Sequence, residues 1–331
     1  MEGSHKFIEM KNTFIITLFF FTINTIAFSQ AVPSIAENTD YLVTFSKQAN
    51  NTWGDDDHVN IYFFEIPVEN KNPFYIRVFD PDVSGPNDMV NGSYNSTTKF
   101  MICGGKEAYS NKAGRTAEPK GNYKSGKHLV TKTFSGDDSK LDNDWYAFGP
   151  FNPTDGEIDA TLKANVFKII VEGEEGDDGN EYRFFFSTDK NMNLPVEGGN
   201  AFAYEVSFRL KNKEVETGHL YPFIDSTVTS VKLNNYDFDK DGYVRITSVN
   251  KKCRELTLSD EGDWKTNTQE ITNDEKNTSV DIQFIKKGLT PNDMTFNITD
   301  QANHPLPMFS YPIGGIPKYK YKIEVIYEPE K

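Results

Sequence analysis

The chain has 331 residues, 37% hydrophobic and 14% aromatic, with 35 basic against 49 acidic side chains and a formal net charge of −14. That much apolar surface supports packed cores and excludes a globally disordered chain. The acidic balance repels phosphate backbones and anionic lipid, which argues against nucleic-acid binding and against membrane docking without a bridging cation.

The first predicted element is a targeting segment. From Met10 the chain reads "MKNTFIITLFFFTINTIAFSQA": Lys11 supplies a positive charge, a short apolar run follows, and Ala27 and Ser29 are the small residues of a cleavage site. Residues 1–29 are therefore expected to be upstream residues plus a signal peptide, with the mature chain starting at Gln30. The run is too short and polar for a membrane span, and no later stretch reads as a spanning helix. The expected address is the periplasm, with the extracellular space as the alternative. No cysteine follows the cleavage site, so a lipoprotein is not expected.

Short strand-like runs follow, each bounded by Gly, Pro, Asn or Asp. They include "YLVTF" (41–45), "VNIYFFEI" (59–66), "FYIRVF" (74–79), "KFMIC" (99–103), "HLVTKTF" (128–134), "NVFKIIV" (165–171), "YRFFFS" (182–187) and "AYEVSFRL" (203–210). Only the stretch around Ile158 suggests a helical turn. The polar stretch 209–226, broken by Gly and Pro, marks a boundary. Beyond it "TVTSVKL", "YVRITSV", "RELTLS", "VDIQFIKK", "DMTFNITD" and "YKYKIEVIYE" continue the strand pattern. The expected fold is all-β, with two β-sandwich domains of Ig-like or jelly-roll-like type, residues 30–211 and 212–331. No repeat of fixed period points to a solenoid or propeller.

Two acidic motifs suggest calcium. After "FYIRVF" come Asp80, Asp82 and Asp88 in the pattern D-x-D-x5-D. Alternate residues of an extended segment point the same way, and Gly85-Pro86 turns the chain back. This spacing resembles the third calcium loop of synaptotagmin-type calcium- and phospholipid-binding domains over about a dozen residues; the companion loop of that family is not found upstream. In "DFDKDGYV", Asp237, Asp239, Asp241 and Gly242 match positions 1, 3, 5 and 6 of an EF-hand loop, and Tyr243 falls where a backbone carbonyl binds. Ser248 replaces the bidentate Glu, so Asp260, Glu261 or Asp263 would have to complete the shell. For both motifs the alternative is a polar turn whose Asp and Asn bond their own backbone. Further acidic clusters at 55–57, 137–138, at Asp142 with Asp144, and at 172–181 read as solvated loops, one or two of which would finish the shell around Asp80.

Catalytic patterns are poor. "GNYKSGKH" (121–128) approaches a phosphate loop, but His128 stands where Ser or Thr would bind magnesium, so it reads as a flexible basic loop. No metalloprotease, serine-hydrolase or dithiol motif is present. Cys103 and Cys253 read as separate buried thiols. Trp53, Trp145 and Trp264 lie beside acidic or Gly-containing loops, where they would either stack on sugars or cover the sandwich ends.

The "AFSQ" ending, the Asn/Lys/Ile/Phe-rich usage and the paired β-domains resemble exported proteins of Bacteroidota. That resemblance implies a soluble periplasmic accessory or plug-like subunit of a type IX secretion translocon. The expectation is a non-catalytic envelope protein, an interaction or structural subunit with calcium-stabilised loops and an envelope protein partner. The alternative is a calcium-dependent carbohydrate-binding or glycan-active protein.

Overall fold

The structure is a computed structural model and describes residues 38–210, 217–288 and 292–319. The expected signal peptide and the final expected strand, "YKYKIEVIYE", lie outside the described residues. The fold is all-β, and among the described residues no helix reaches seven residues. In chain order the first strands are β1 (Tyr41–Phe45), β2 (Val59–Pro67), β3 (Phe74–Phe79), β4 (Thr97–Gly104), β5 (Lys127–Ser135), β6 (Trp145–Phe151) and β7 (Glu157–Asp159). Next come β8 (Ala164–Glu175), β9 (Gly179–Ser187), β10 (Asn200–Ala203), β11 (Glu205–Leu210), β12 (Thr217–Ile224), β13 (Ser230–Tyr236) and β14 (Gly242–Thr247). The last are β15 (Arg254–Leu256), β16 (Trp264–Glu270), β17 (Thr278–Ser279), β18 (Asp281–Lys286), β19 (Asn292–Asp300) and β20 (Met308–Phe309).

These strands form two antiparallel sheets. One runs β16-β13-β19-β11-β1-β9-β3-β6. The other runs β15-β14-β18-β12-β20-β10-β2-β8-β4-β5, with β17 beside β12 and β7 beside β8. The expected boundary at 211/212 sorts the strands cleanly: in each sheet every strand up to β11 lies on one side and every later strand on the other. Yet the halves do not stand apart, and both belong to one compact unit. The first sheet crosses the boundary through β11 and β19, paired from Glu205↔Asn297 to Leu210↔Asn292. The second crosses it through β10 and β20, at Ala203↔Met308. A single hydrophobic core, from Leu42 and Tyr62 to Leu233 and Phe284, runs between the sheets through both halves.

The larger sheet is buried on both faces in its first half. Tyr62, Phe64, Phe167 and Ile169 point into the main core. Their neighbours Ile61, Phe63, Val166 and Ile170 join a second core with Tyr109 on the opposite face. This second core is covered by the segment 105–126, which contains the expected basic loop. That loop is anchored: Lys168 of β8, fully buried, donates from Nζ to the Tyr123 carbonyl at 2.6 Å and to Ser125 Oγ at 3.2 Å.

Other expectations need correction. Around Ile158 the chain forms the short strand β7, and the Ile158 side chain is exposed. The stretch read as a polar linker contains β12, a mostly buried strand. Cys103 is buried in β4, but Cys253 is exposed in a turn before β15, and both are free thiols.

Because the halves share both sheets and one core, cleavage between them should not release separate domains. Trypsin nicking at Lys211 or Lys213 should leave two fragments that co-elute on size exclusion and part only in denaturant. Release of a folded N-terminal fragment under native conditions would contradict the shared core.

Candidate metal centre

The acidic end of the first half is built by strand pairing. β3 ends at Phe79, opposite Trp145, which opens the antiparallel strand β6. The residues just after β3 therefore meet those just before β6, and Asp80 N–H donates to the Asp144 carbonyl at 2.9 Å. Asp80 adopts a left-handed φ of 56°, which turns the chain out of the sheet. Its Oδ1 accepts the Asn143 N–H at 3.0 Å and its Oδ2 accepts Asn87 Nδ2 at 2.6 Å. Ser84 Oγ stands 2.6 Å from Asp82 Oδ2 and 3.1 Å from Asp142 Oδ1, so one hydroxyl proton serves two carboxylates. Gly85, at φ 88°, lies under the Asp142 carboxylate, where any Cβ would collide with it.

The result is a convergence of Asp80, Asp82 and Asp142, with one oxygen of each within 4.8 Å of the others. Oxygens around one calcium ion, each at roughly 2.3–2.6 Å, stand up to about 5 Å apart, so the spacing fits a shared cation. Asp80 and Asp82 are buried, and Asp82 Oδ1 is buried with no hydrogen-bond partner. Burial raises the Asp82 carboxyl to about 6, with Asp142 and Asp80 adding repulsion and the Ser84 hydroxyl opposing them. Asp80 and Asp82 thus meet as expected, and Asp142 is the completing residue that a neighbouring acidic cluster was expected to supply.

Asp88 stands outside this group. Its Oδ2 accepts the Ser84 N–H and its Oδ1 the Glu181 N–H, both at 2.7 Å. Both oxygens are spent on backbone donors, the work of a loop former. Burial, with Asp80 and Glu181 nearby, pushes the Asp88 carboxyl well above its usual range.

This end is rich in acids: Asp80, Asp82, Asp88, Asp178, Glu181 and Asp293 are all buried. Arg209 meets two of them: Nε bonds Asp293 Oδ1 at 2.6 Å, Nη2 bonds Asp293 Oδ2 at 2.5 Å, and Nη1 pairs with Glu181 and donates to the Asn87 carbonyl at 3.1 Å. A buried carboxylate is stable when it is hydrogen-bonded, ion-paired, protonated or metal-bound.

The second motif folds differently. Asp237, Asp239 and Lys240 all have left-handed φ, and Phe238 between them is fully buried. Asp237 accepts the Gly262 N–H, Lys240 pairs with Asp260, and the Asp241 carboxylate lies against Gly288. The 260–263 loop does approach this turn, as expected. Tyr243, however, sits in the β14 ladder opposite Ile285, with Lys287 Nζ 3.8 Å from its ring centroid. Among the described residues, three ligand oxygens converge at Asp80, Asp82 and Asp142 and not here.

The tryptophans are half-buried. The Trp145 ring has Arg77 at 4.8 Å and Arg183 at 5.7 Å, and Trp264 Nε1 donates to Asp56 Oδ2 at 2.7 Å. No known protein-family model matches the chain, and no curated protein matches it significantly. What fold and site define is therefore a class: an all-β, two-sheet protein with a buried carboxylate cluster.

The 55–57 cluster is solvated only in part: Asp56 is exposed. Asp55 is buried, with Oδ2 accepting Ser207 Oγ at 2.6 Å. Burial raises Asp55 to about 6 and Asp237 to about 7, and raises Asp57 and Glu205 as well. Carboxyls with a raised folded pKa contribute stability that is full below their unfolded pKa and is lost as pH rises through the folded value. In EDTA the protein should therefore lose stability between pH 5 and pH 8 in denaturant unfolding. Asp55→Asn should flatten that slope, and a slope unchanged by it would contradict the burial of this carboxyl.

Proposed function

We propose that this protein is a non-catalytic exported scaffold of the cell envelope, an interaction or structural subunit whose loop end is held together by calcium. The observation that carries the metal part of the reading is the convergence of Asp80, Asp82 and Asp142, one of which, Asp82, keeps a buried oxygen without a hydrogen bond. Three hard oxygen donors suit calcium rather than zinc or copper, and Asp, Asn and carbonyl oxygens nearby suit it equally. A cation there ties the segment after β3 to the segment before β6 and offsets the buried negative charge. The periplasm, with association to an outer-membrane secretion complex, remains the proposed setting, and an envelope protein the proposed partner. N-terminal sequencing of native protein should find Gln30 first; a retained Met1 or Met10 would contradict export.

The metal part of the reading has a direct test. Calcium at 10 mM should raise the melting temperature relative to EDTA, by the equivalent of about 1.5–3 kcal/mol for a site in the 10⁻⁴–10⁻³ M range. Asp82→Asn should abolish that gain and, by relieving repulsion, melt no lower than wild type in EDTA. Asp88→Asn should keep the gain but lower stability with and without calcium by about 1–3 kcal/mol, since one buried backbone N–H loses its acceptor. Asp237→Asn with Asp239→Asn should leave the gain intact. Identical wild-type curves in calcium and EDTA would overturn the metal reading.

A further inference from the structure

We infer that a cavity at the junction of the two halves binds a small organic anion of about one sugar in size. The cavity has a volume of about 460 Å³. Lys112, Arg115 and Thr116 line it from the segment 105–126, and Asn303 and His304 line it from the connection between β19 and β20. Tyr204, between β10 and β11, lines it as well. Clefts between packed units are where small-molecule sites concentrate, and this one draws its walls from both halves.

The donor set asks for an anion. Lys112 and Arg115 gather here on a chain of net charge −14. Among the described residues neither Lys112 nor Arg115 has a carboxylate partner; the Arg115 guanidinium instead lies 4.8 Å from the Tyr109 ring centroid, which orients it. Lys232 Nζ donates to Asn303 Oδ1 at 2.7 Å, so the Asn303 amide nitrogen is the end left to donate. His304 is fixed through Nδ1, 3.1 Å from Asp300 Oδ2, and through its backbone N–H to Asp300 Oδ1 at 2.8 Å, which leaves Nε2 as an acceptor for a ligand hydroxyl. The lining thus carries guanidinium, ammonium, amide and hydroxyl donors and no carboxylate; Asp300, bonded to His304, stands behind it. A planar guanidinium beside an ammonium matches a carboxylate or phosphate head. A bare phosphate would leave most of the volume to water, so the ligand carries a body beside its charged group.

Isothermal titration at low ionic strength with galacturonate, glucose 6-phosphate and glucose tests the assignment. Both anions should bind, glucose should bind at least about ten-fold more weakly, and added salt should weaken the anions alone. The stronger of the two anions identifies the head as carboxylate or phosphate. Arg115→Gln should weaken the preferred anion about ten-fold. Lys112→Gln, on the exposed rim, should weaken it several-fold with an unchanged melting temperature, which keeps the result readable if Arg115→Gln disturbs folding. Binding of neither anion, equal binding of glucose, or wild-type affinity in the soluble variants would overturn the inference.

Discussion

The guanidinium of Arg209 is the joint on which both the seam and the acidic end depend. It lies in β11, directly opposite Asp293 of β19, at the pairing that carries the first sheet from one half of the chain into the other. Its fork holds that aspartate, pairs with Glu181 of β9, and reaches the Asn87 carbonyl in the loop that carries Asp82 and Asp88. A buried bidentate pair of this kind is weak evidence of net stability, because desolvation offsets most of the attraction. Its removal is another matter: Asp293 would then lose the fork that holds both of its buried oxygens. Burial works against the charge, but Asp293 and Glu181 outweigh it and hold Arg209 more firmly protonated than usual.

The same seam is reinforced by small polar groups. Ser207 and Thr295 hydroxyls lie 2.8 Å apart across β11 and β19, and Thr295 Oγ1 also donates to the Gly54 carbonyl at 2.8 Å. Asn297 Nδ2 donates to Glu205 Oε2 at 3.1 Å, and Tyr236 OH reaches across to the Asn51 carbonyl at 2.8 Å. The segment 50–57 thus belongs to the first half but rests on strands of the second. The interior is rich in acids, and the protein manages them by different means: Arg209 at the seam, hydrogen bonds from Ser207 and the Asp57 N–H at Asp55, and geometry suited to a cation at Asp82.

Much of this was readable beforehand. Aromatic and β-branched runs marked most strands. The joining of the halves was not readable, because edge-to-edge pairing of β11 with β19 leaves no local sequence mark; any two strands with exposed edges can pair. β12 was hidden by Gly218 and Pro222, which read as breakers but sit in a strand. At the carboxylate cluster, Asp80 and Asp82 were visible from alternation, whereas Asp88 fits the spacing and faces backbone donors instead. Asp142 could have been placed with them only by knowing that β3 pairs with β6, since that pairing brings residue 80 beside residue 144. In "DFDKDGYV" the spacing of a calcium loop is present, but three left-handed residues form a tight turn between strands rather than a loop between helices.

The larger sheet carries a problem of identity along its own strands. Where both faces are apolar, in-and-out alternation no longer distinguishes one alignment from its neighbour shifted by a residue, and a slipped sheet would still be greasy on both sides. Lys168 breaks that degeneracy. It lies in β8 between Phe63 and Cys103 on the flanking strands, and its ammonium finds the Tyr123 carbonyl and Ser125 hydroxyl waiting on the outer face. Shifted by one position, the same charge would be driven into the main core, away from the carbonyl and hydroxyl that hold it. One lysine thus acts as a key, rendering a hydrophobic strand readable in a single frame.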